Sequence, residues 1–111
     1  MIMGTETEYG ISVKNARDQD PVAASTLVVN AYKDRGLKGI TWDYDQESPL
    51  MDARGFMSEG ESDPPDRENN TLINDILVNG GRYYVDHAHP EYCTPECTNP
   101  RDLVKYEKAG E

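Results

Sequence analysis

Residues 72–86 read LINDILVNGGRYYVD, and their reading decides the architecture. Two β-prone runs, Ile76-Leu77-Val78 and Tyr83-Tyr84-Val85, flank Asn79-Gly80. Asn-Gly supplies the backbone angles of a tight reversal, so the pattern predicts a β-hairpin. A lone hairpin is marginal in water and needs more strands or a helix against it. Upstream, residues 2–13, IMGTETEYGISV, read as a strand. Period-two alternation there puts Glu6 and Glu8 on one face. Asp20-Pro21 is an N-cap followed by a first-turn proline. It opens an amphipathic helix over 21–35, with apolar positions at Val22, Leu27, Val28, Ala31 and Tyr32 and Gly36 as terminator. Asn99-Pro100 repeats the cap before a helix over 101–111, which ends without a convincing cap and with little to pack upon. Residues 87–98, HAHPEYCTPECT, read as an irregular extended stretch broken by Pro90 and Pro95. The prediction is an α+β fold, with the N-terminal strand and the hairpin antiparallel in one curved sheet and helices at its flanks.

Composition limits the function classes. The chain has 111 residues, Lys plus Arg 11 and Asp plus Glu 21, for a net charge of −10. A duplex DNA binder needs a basic surface to displace phosphate counterions, and this balance opposes one. No apolar run is long enough to span a bilayer, and no basic-then-apolar leader opens the chain. Two cysteines cannot build a disulfide framework, so a reducing, cytoplasmic location is expected. One Phe and one Trp make a thin core for an independent domain. The expectation is that residues 1–111 are the N-terminal segment of a larger catalytic domain.

Residues 37–71 change character and read as an insert rich in Asp, Glu, Gly, Pro and Ser. Its second part, SEGESDPPDRENN (58–70), has no apolar residue and reads as a mobile acidic linker. Its first part, TWDYDQESPLMDARGF (41–56), holds the only Trp and the only Phe and is expected to dock on something.

Three constellations can carry chemistry. Glu6-x-Glu8 sets two like charges on one strand face, which suits a hard divalent cation; a solvated surface pair is the plainer alternative. Asp86-His87-Ala88-His89-Pro90-Glu91 concentrates ionisable groups directly after a strand. There Asp86 suits a general base or nucleophile, and Glu91 could join Glu6 and Glu8 on a metal. A turn with packed histidines is the alternative. Cys93-x-x-x-Cys97 with His87 and His89 suggests zinc, but the spacing is not that of a finger and two free thiols are preferred. P-loop, dinucleotide-binding and HExxH motifs are absent.

The stretches Gly4-Thr5-Glu6-Thr7-Glu8-Tyr9-Gly10-Ile11 and Tyr84-Val85-Asp86-His87-Ala88-His89-Pro90-Glu91-Tyr92 together resemble the start of the Pup ligase/depupylase family. Lys108-Ala109-Gly110-Glu111 resembles the family's K-A-G-E or R-A-G-E, so the likeness covers essentially the whole chain. These enzymes act on the prokaryotic ubiquitin-like protein Pup and are similar in fold to glutamine synthetase. The insert, with Trp42-Asp43-Tyr44, Glu47-Ser48-Pro49-Leu50 and Asp52-Ala53-Arg54-Gly55-Phe56, resembles the depupylase branch, as does the close spacing of Asp86 to His89-Pro90-Glu91. Cys93 departs from the pattern, standing where smaller residues are usual, and the linker is unusually acidic.

That resemblance implies an ATP- and Mg²⁺-dependent hydrolase. It would release Pup from lysines of pupylated proteins and deamidate the C-terminal Gln of Pup. Glu6, Glu8 and Glu91 match the metal- and nucleotide-side carboxylates. Asp86 matches the catalytic Asp, as nucleophile or as the base that activates water. ATP would serve as a cofactor without stoichiometric turnover. Two other readings stay open: a Pup–protein ligase of the same family, and, if the chain is complete, a non-catalytic acidic module that binds a basic partner.

Overall fold

A computed structural model describes residues 1–33, 40–45, 48–56 and 70–111. Most of the acidic linker, Gly36 and Glu47 lie outside the described residues. Four strands form one antiparallel sheet: β1 (Glu6–Glu8), β2 (Asn74–Ile76), β3 (Arg82–Asp86) and β4 (His89–Cys93), in the order β1-β4-β3-β2. Among the described residues two α-helices, α1 (Pro21–Lys33) and α2 (Pro100–Gly110), and a 3-10 turn at Asn70–Ile73 complete the α+β fold. No helix among the described residues is long and apolar enough to cross a membrane.

The predicted hairpin is present, with a wider loop. β2 stops at Ile76, and Leu77 N–H donates to the Gly81 carbonyl at 2.8 Å. Gly80 then sits at φ 85°, a left-handed position that costs glycine nothing. Leu77 and Val78, expected in the first strand, belong to this loop instead.

The reading of 87–98 as irregular is corrected: His89–Cys93 form β4, a central strand. Pro90 is tolerated there because of its register. Tyr9 N–H donates to the Pro90 carbonyl at 2.9 Å, but Pro90 has no N–H to return the bond. The β1 ladder ends just before this pair, at Glu8, which shortens the strand expected over 2–13 to three residues. Met3 adds an isolated bridge to Cys97.

Helix α1 opens where predicted, with Ala23 N–H donating to the Asp20 carboxylate at 2.9 Å. Val29, Tyr44, Ile73 and Val85 make the buried core, and Tyr32 meets Tyr83 edge-on with ring centroids 6.4 Å apart. Helix α2 is capped by Asn99, whose side chain accepts from Asp102 N–H at 3.0 Å. Contrary to expectation it has a surface to pack on. Thr5 and Thr7 of the first strand region both donate to Glu107, and Tyr92 donates to the Tyr106 carbonyl at 2.8 Å. Gly110 lies flat on the Tyr92 ring, where a Cβ would fall 2.2 Å from a ring carbon. The closing K-A-G-E therefore needs its glycine.

The first part of the insert docks, as its aromatic content predicts. Arg82 is stacked between Trp42 and Tyr84, 3.9 and 3.6 Å from the ring centroids, a cation–π sandwich. Asn74 donates to the Tyr44 hydroxyl at 2.8 Å. The segment around Asp52 folds on itself: its buried carboxylate accepts from the N–H groups of Arg54 and Phe56 at 2.9 Å and from the Arg54 guanidinium. These bonds, the Phe56 N–H foremost, hold the Asp52 carboxyl below the usual carboxylate range.

Candidate active site

The register decides which side chains meet. Glu6 faces Cys93 and Glu8 faces Glu91 across β1 and β4, while Tyr84 faces Glu91 and Asp86 faces His89 across β3 and β4. Directly opposed residues share a face, so Glu6, Glu8, Glu91 and Asp86 all emerge on the same side of the sheet. Thr7, Tyr92, Tyr83 and Val85 emerge on the other, which the helices cover.

Two of the three predicted metal carboxylates come together directly. Ligand atoms of Glu6, Glu91 and Cys93 all lie within 4.8 Å of one another. The ladder explains the closeness. Tyr9 N–H donates to Pro90 and Thr94 N–H to Thr5. The Glu6–Cys93 and Glu8–Glu91 pairs in between are therefore the non-hydrogen-bonded kind, with side chains nearest. Glu91 is directly opposed to Glu8 and diagonal to Glu6, and like charges so placed cost stability. Among the described residues neither Glu6 nor Glu91 forms an ion pair with Lys or Arg. Arg82, the cation on this face, is turned to Trp42, Tyr84 and Asn74 instead.

Glu8 is placed differently from its two partners. Its Oε1 lies 2.7 Å from His89 Nδ1, so the third carboxylate is tied to a histidine beside the cluster. Glu91 is buried, with 6% of its surface exposed, and accepts from the Tyr84 hydroxyl at 2.7 Å. Burial, and then the charges of Asp86, Glu6 and Glu8, raise its carboxyl above the ordinary range against the lowering pull of Tyr84. Cys93 Sγ lies 3.5 Å from Glu6 and 3.6 Å from the Tyr84 hydroxyl. Burial first, and the neighbouring carboxylates after it, push that thiol up to about 11.

The cysteines and histidines do not form one cluster. Cys97 Sγ lies against the Pro95 carbonyl, His87 beside Asp86, and His89 on Glu8. The sequence reading missed Cys93 and Tyr84 as members of the carboxylate group. The alternation 89, 91, 93 would have shown the first had 87–98 been taken for a strand.

Asp86 ends β3 at the mouth of a two-residue turn. His87 and Ala88 have φ values of 44° and 65°, left-handed conformations that side chains disfavour by about 1–2 kcal/mol each. Asp86 Oδ1 accepts from His87 N–H at 2.9 Å, while Oδ2 is 3.7 Å from His87 Nδ1. The carboxylate opens into a cleft of about 630 Å³ whose other wall is the docked insert, through Ser48, Met51, Ala53 and Gly55. A partly exposed carboxylate in a cleft, on the same face as a carboxylate cluster, can act as a nucleophile or deprotonate one.

Hard oxygen donors from Glu6 and Glu91, with Glu8 adjacent, fit Mg²⁺ by their chemistry, and a cation there would relieve the repulsion the register creates.

The chain matches the family described as Pup-ligase protein over residues 1–111. A depupylase of Acidothermus cellulolyticus is 53% identical over 99% of this chain and 23% of its own length. A Pup deamidase/depupylase of Mycolicibacterium smegmatis is 50% identical over 99% of this chain and 24% of its own length. The Mycobacterium tuberculosis protein of the same name is 50% identical over 99% and 23%. The chain thus spans about a quarter of the length of these curated relatives. With the match running from end to end, the chain belongs to the Pup-ligase protein family.

Proposed function

We propose that this chain supplies the carboxylate cluster and the catalytic Asp of a depupylase. The enzyme would be a hydrolase that removes Pup from lysines of pupylated proteins and deamidates the C-terminal Gln of Pup. In this reading residues 1–111 are the N-terminal segment of a larger, cytoplasmic catalytic domain of the glutamine synthetase kind. Residues 37–71 are its insert. The observation that carries the reading is the placing of Glu6, Glu8, Glu91 and Asp86 on one sheet face, with Asp86 opening into a cleft.

An isopeptide or amide bond resists hydrolysis, so the site has to provide a nucleophile and stabilise charge on the carbonyl oxygen. Asp86 provides the first, either by direct attack on the carbonyl carbon or by taking a proton from water. His87 N–H holds Oδ1, and Asp86 lines the cleft. Glu6, Glu91 and the adjacent Glu8 would hold Mg²⁺ with ATP, and a cation bound there would supply positive charge to the site. Tyr84 fixes Glu91, and His89 fixes Glu8.

The test is incubation of the intact enzyme with a Pup-modified protein, with ATP and Mg²⁺ present or withheld. Release of free Pup and unmodified target, and conversion of Pup's C-terminal Gln to Glu, are the expected results, each lost without Mg²⁺ or ATP. New Pup conjugates formed with one ATP consumed per bond would assign the ligase activity instead.

A further inference from the structure

The turn that carries Asp86 is held from outside the sheet. Ala88 is fully buried, and its left-handed φ of 65° is one that alanine avoids in the absence of restraint. Two bonds restrain it. Its N–H donates to the Pro49 carbonyl of the insert at 2.7 Å, and its carbonyl accepts from the Ser25 hydroxyl of α1 at 2.7 Å. Ser25 is itself fully buried. Its oxygen also lies 2.6 Å from the Pro21 carbonyl one turn back in the helix. A hydroxyl has one proton to give, and serine serves a helix interior less well than alanine. Alanine could make neither contact, and of the two only the one to Ala88 reaches outside the helix.

We infer that Ser25 is a positioning residue for Asp86: with Pro49, it locks the Ala88 peptide in the left-handed conformation that aims the Asp86 carboxylate into the cleft. The leverage comes from the register. Asp86 and His89 are the paired residues on either side of the turn, so rotation of the 87–88 backbone tilts both. His89 in turn holds Glu8. One buried tether thereby sets the catalytic carboxylate and, through His89, a carboxylate of the metal side. The inference rests on the reading of Asp86 as the group that attacks or activates water.

The experiment compares three variants of the intact enzyme, Ser25→Ala, Ser25→Ala with Ala88→Gly, and Asp86→Asn, all well below their unfolding temperatures. Ser25→Ala is expected to lower kcat for isopeptide cleavage by roughly 10–100-fold, the scale of a small misplacement of a reacting group, with KM and ATP affinity unchanged. Glycine adopts the left-handed region without penalty, so the double variant recovers most of kcat. The backbone coupling constant of Ala88, which reports φ, leaves its left-handed value in Ser25→Ala. A purely structural Ser25 predicts a lower unfolding temperature, unchanged kcat in the folded fraction and no rescue by glycine. Full kcat in Ser25→Ala, while Asp86→Asn is inactive, overturns the inference. If Asp86→Asn is itself active, the functional reading has failed, and the Ala88 coupling constant alone decides whether the tether exists.

Discussion

Replacing Asp86 by Asn in the intact enzyme abolishes isopeptide cleavage and Pup deamidation together, by roughly 10²–10⁴-fold, the range ascribed to a positioned acid–base group. Asparagine keeps the shape of the side chain and can still accept from His87 N–H, so the turn and the cleft survive. What disappears is the negative charge that makes the group a nucleophile or a base. Steady-state turnover on both substrates, with ATP and Pup affinity measured in parallel, checks the expectation. Near-normal turnover removes Asp86 from the chemistry, and loss of binding along with turnover makes its role structural.

Glu91→Gln has the second large effect, and it works in opposite directions on binding and on stability. The Glu91 carboxyl is raised by burial and by its acidic neighbours, so the metal-free fold holds its proton more tightly than the unfolded chain does. Such a group destabilises the fold progressively as pH rises from the ordinary glutamate value through the raised one. Glutamine carries no charge at any pH and can still accept from Tyr84. The metal-free variant should therefore unfold at a higher temperature than the parent at neutral pH, with the difference vanishing in acid. Metal binding moves the other way. The carboxylate has to shed its proton to become a ligand, so Mg²⁺–ATP affinity falls as pH drops through the raised value. Removing the ligand outright weakens affinity by at least the roughly 10–100-fold typical of losing a supporting group at a metal site. Thermal melts of the metal-free protein and Mg²⁺–ATP titrations across pH read both effects.

Where the sequence was legible, its local signals agreed with tertiary structure. Asp20-Pro21 and Asn99-Pro100 opened helices where caps and first-turn prolines should, and alternation placed Tyr84 and Asp86 on one face and Val85 on the other. Where it was not, long-range register outweighed local preference. Pro90 argued against a central strand, yet its missing N–H falls at the pair where β1 stops, so little is lost. The left-handed His87-Ala88 turn carries no glycine or asparagine to announce it, because Ser25 and Pro49 hold it from 63 and 39 positions away in the chain. Nor could spacing foretell that the Glu8 carboxylate would turn from Glu91, its partner in the register, to the His89 ring, since that depends on its rotamer. Arg82 looked like an ordinary strand residue. Its stacking against Trp42 becomes visible only when the insert is seen folded onto the sheet.

The central claim, that Glu6 and Glu91 hold the metal of a site into which Asp86 faces, is tested most directly by diffraction from crystals of the intact enzyme grown with ATP and Mn²⁺ in place of Mg²⁺. Anomalous scattering locates manganese without reference to activity. The account predicts an anomalous peak at coordination distance from carboxylate oxygens of both Glu6 and Glu91, on the sheet face that carries Asp86 and against the ATP phosphates. An ordered nucleotide whose manganese contacts neither carboxylate, or lies on the face covered by α1 and α2, would contradict it.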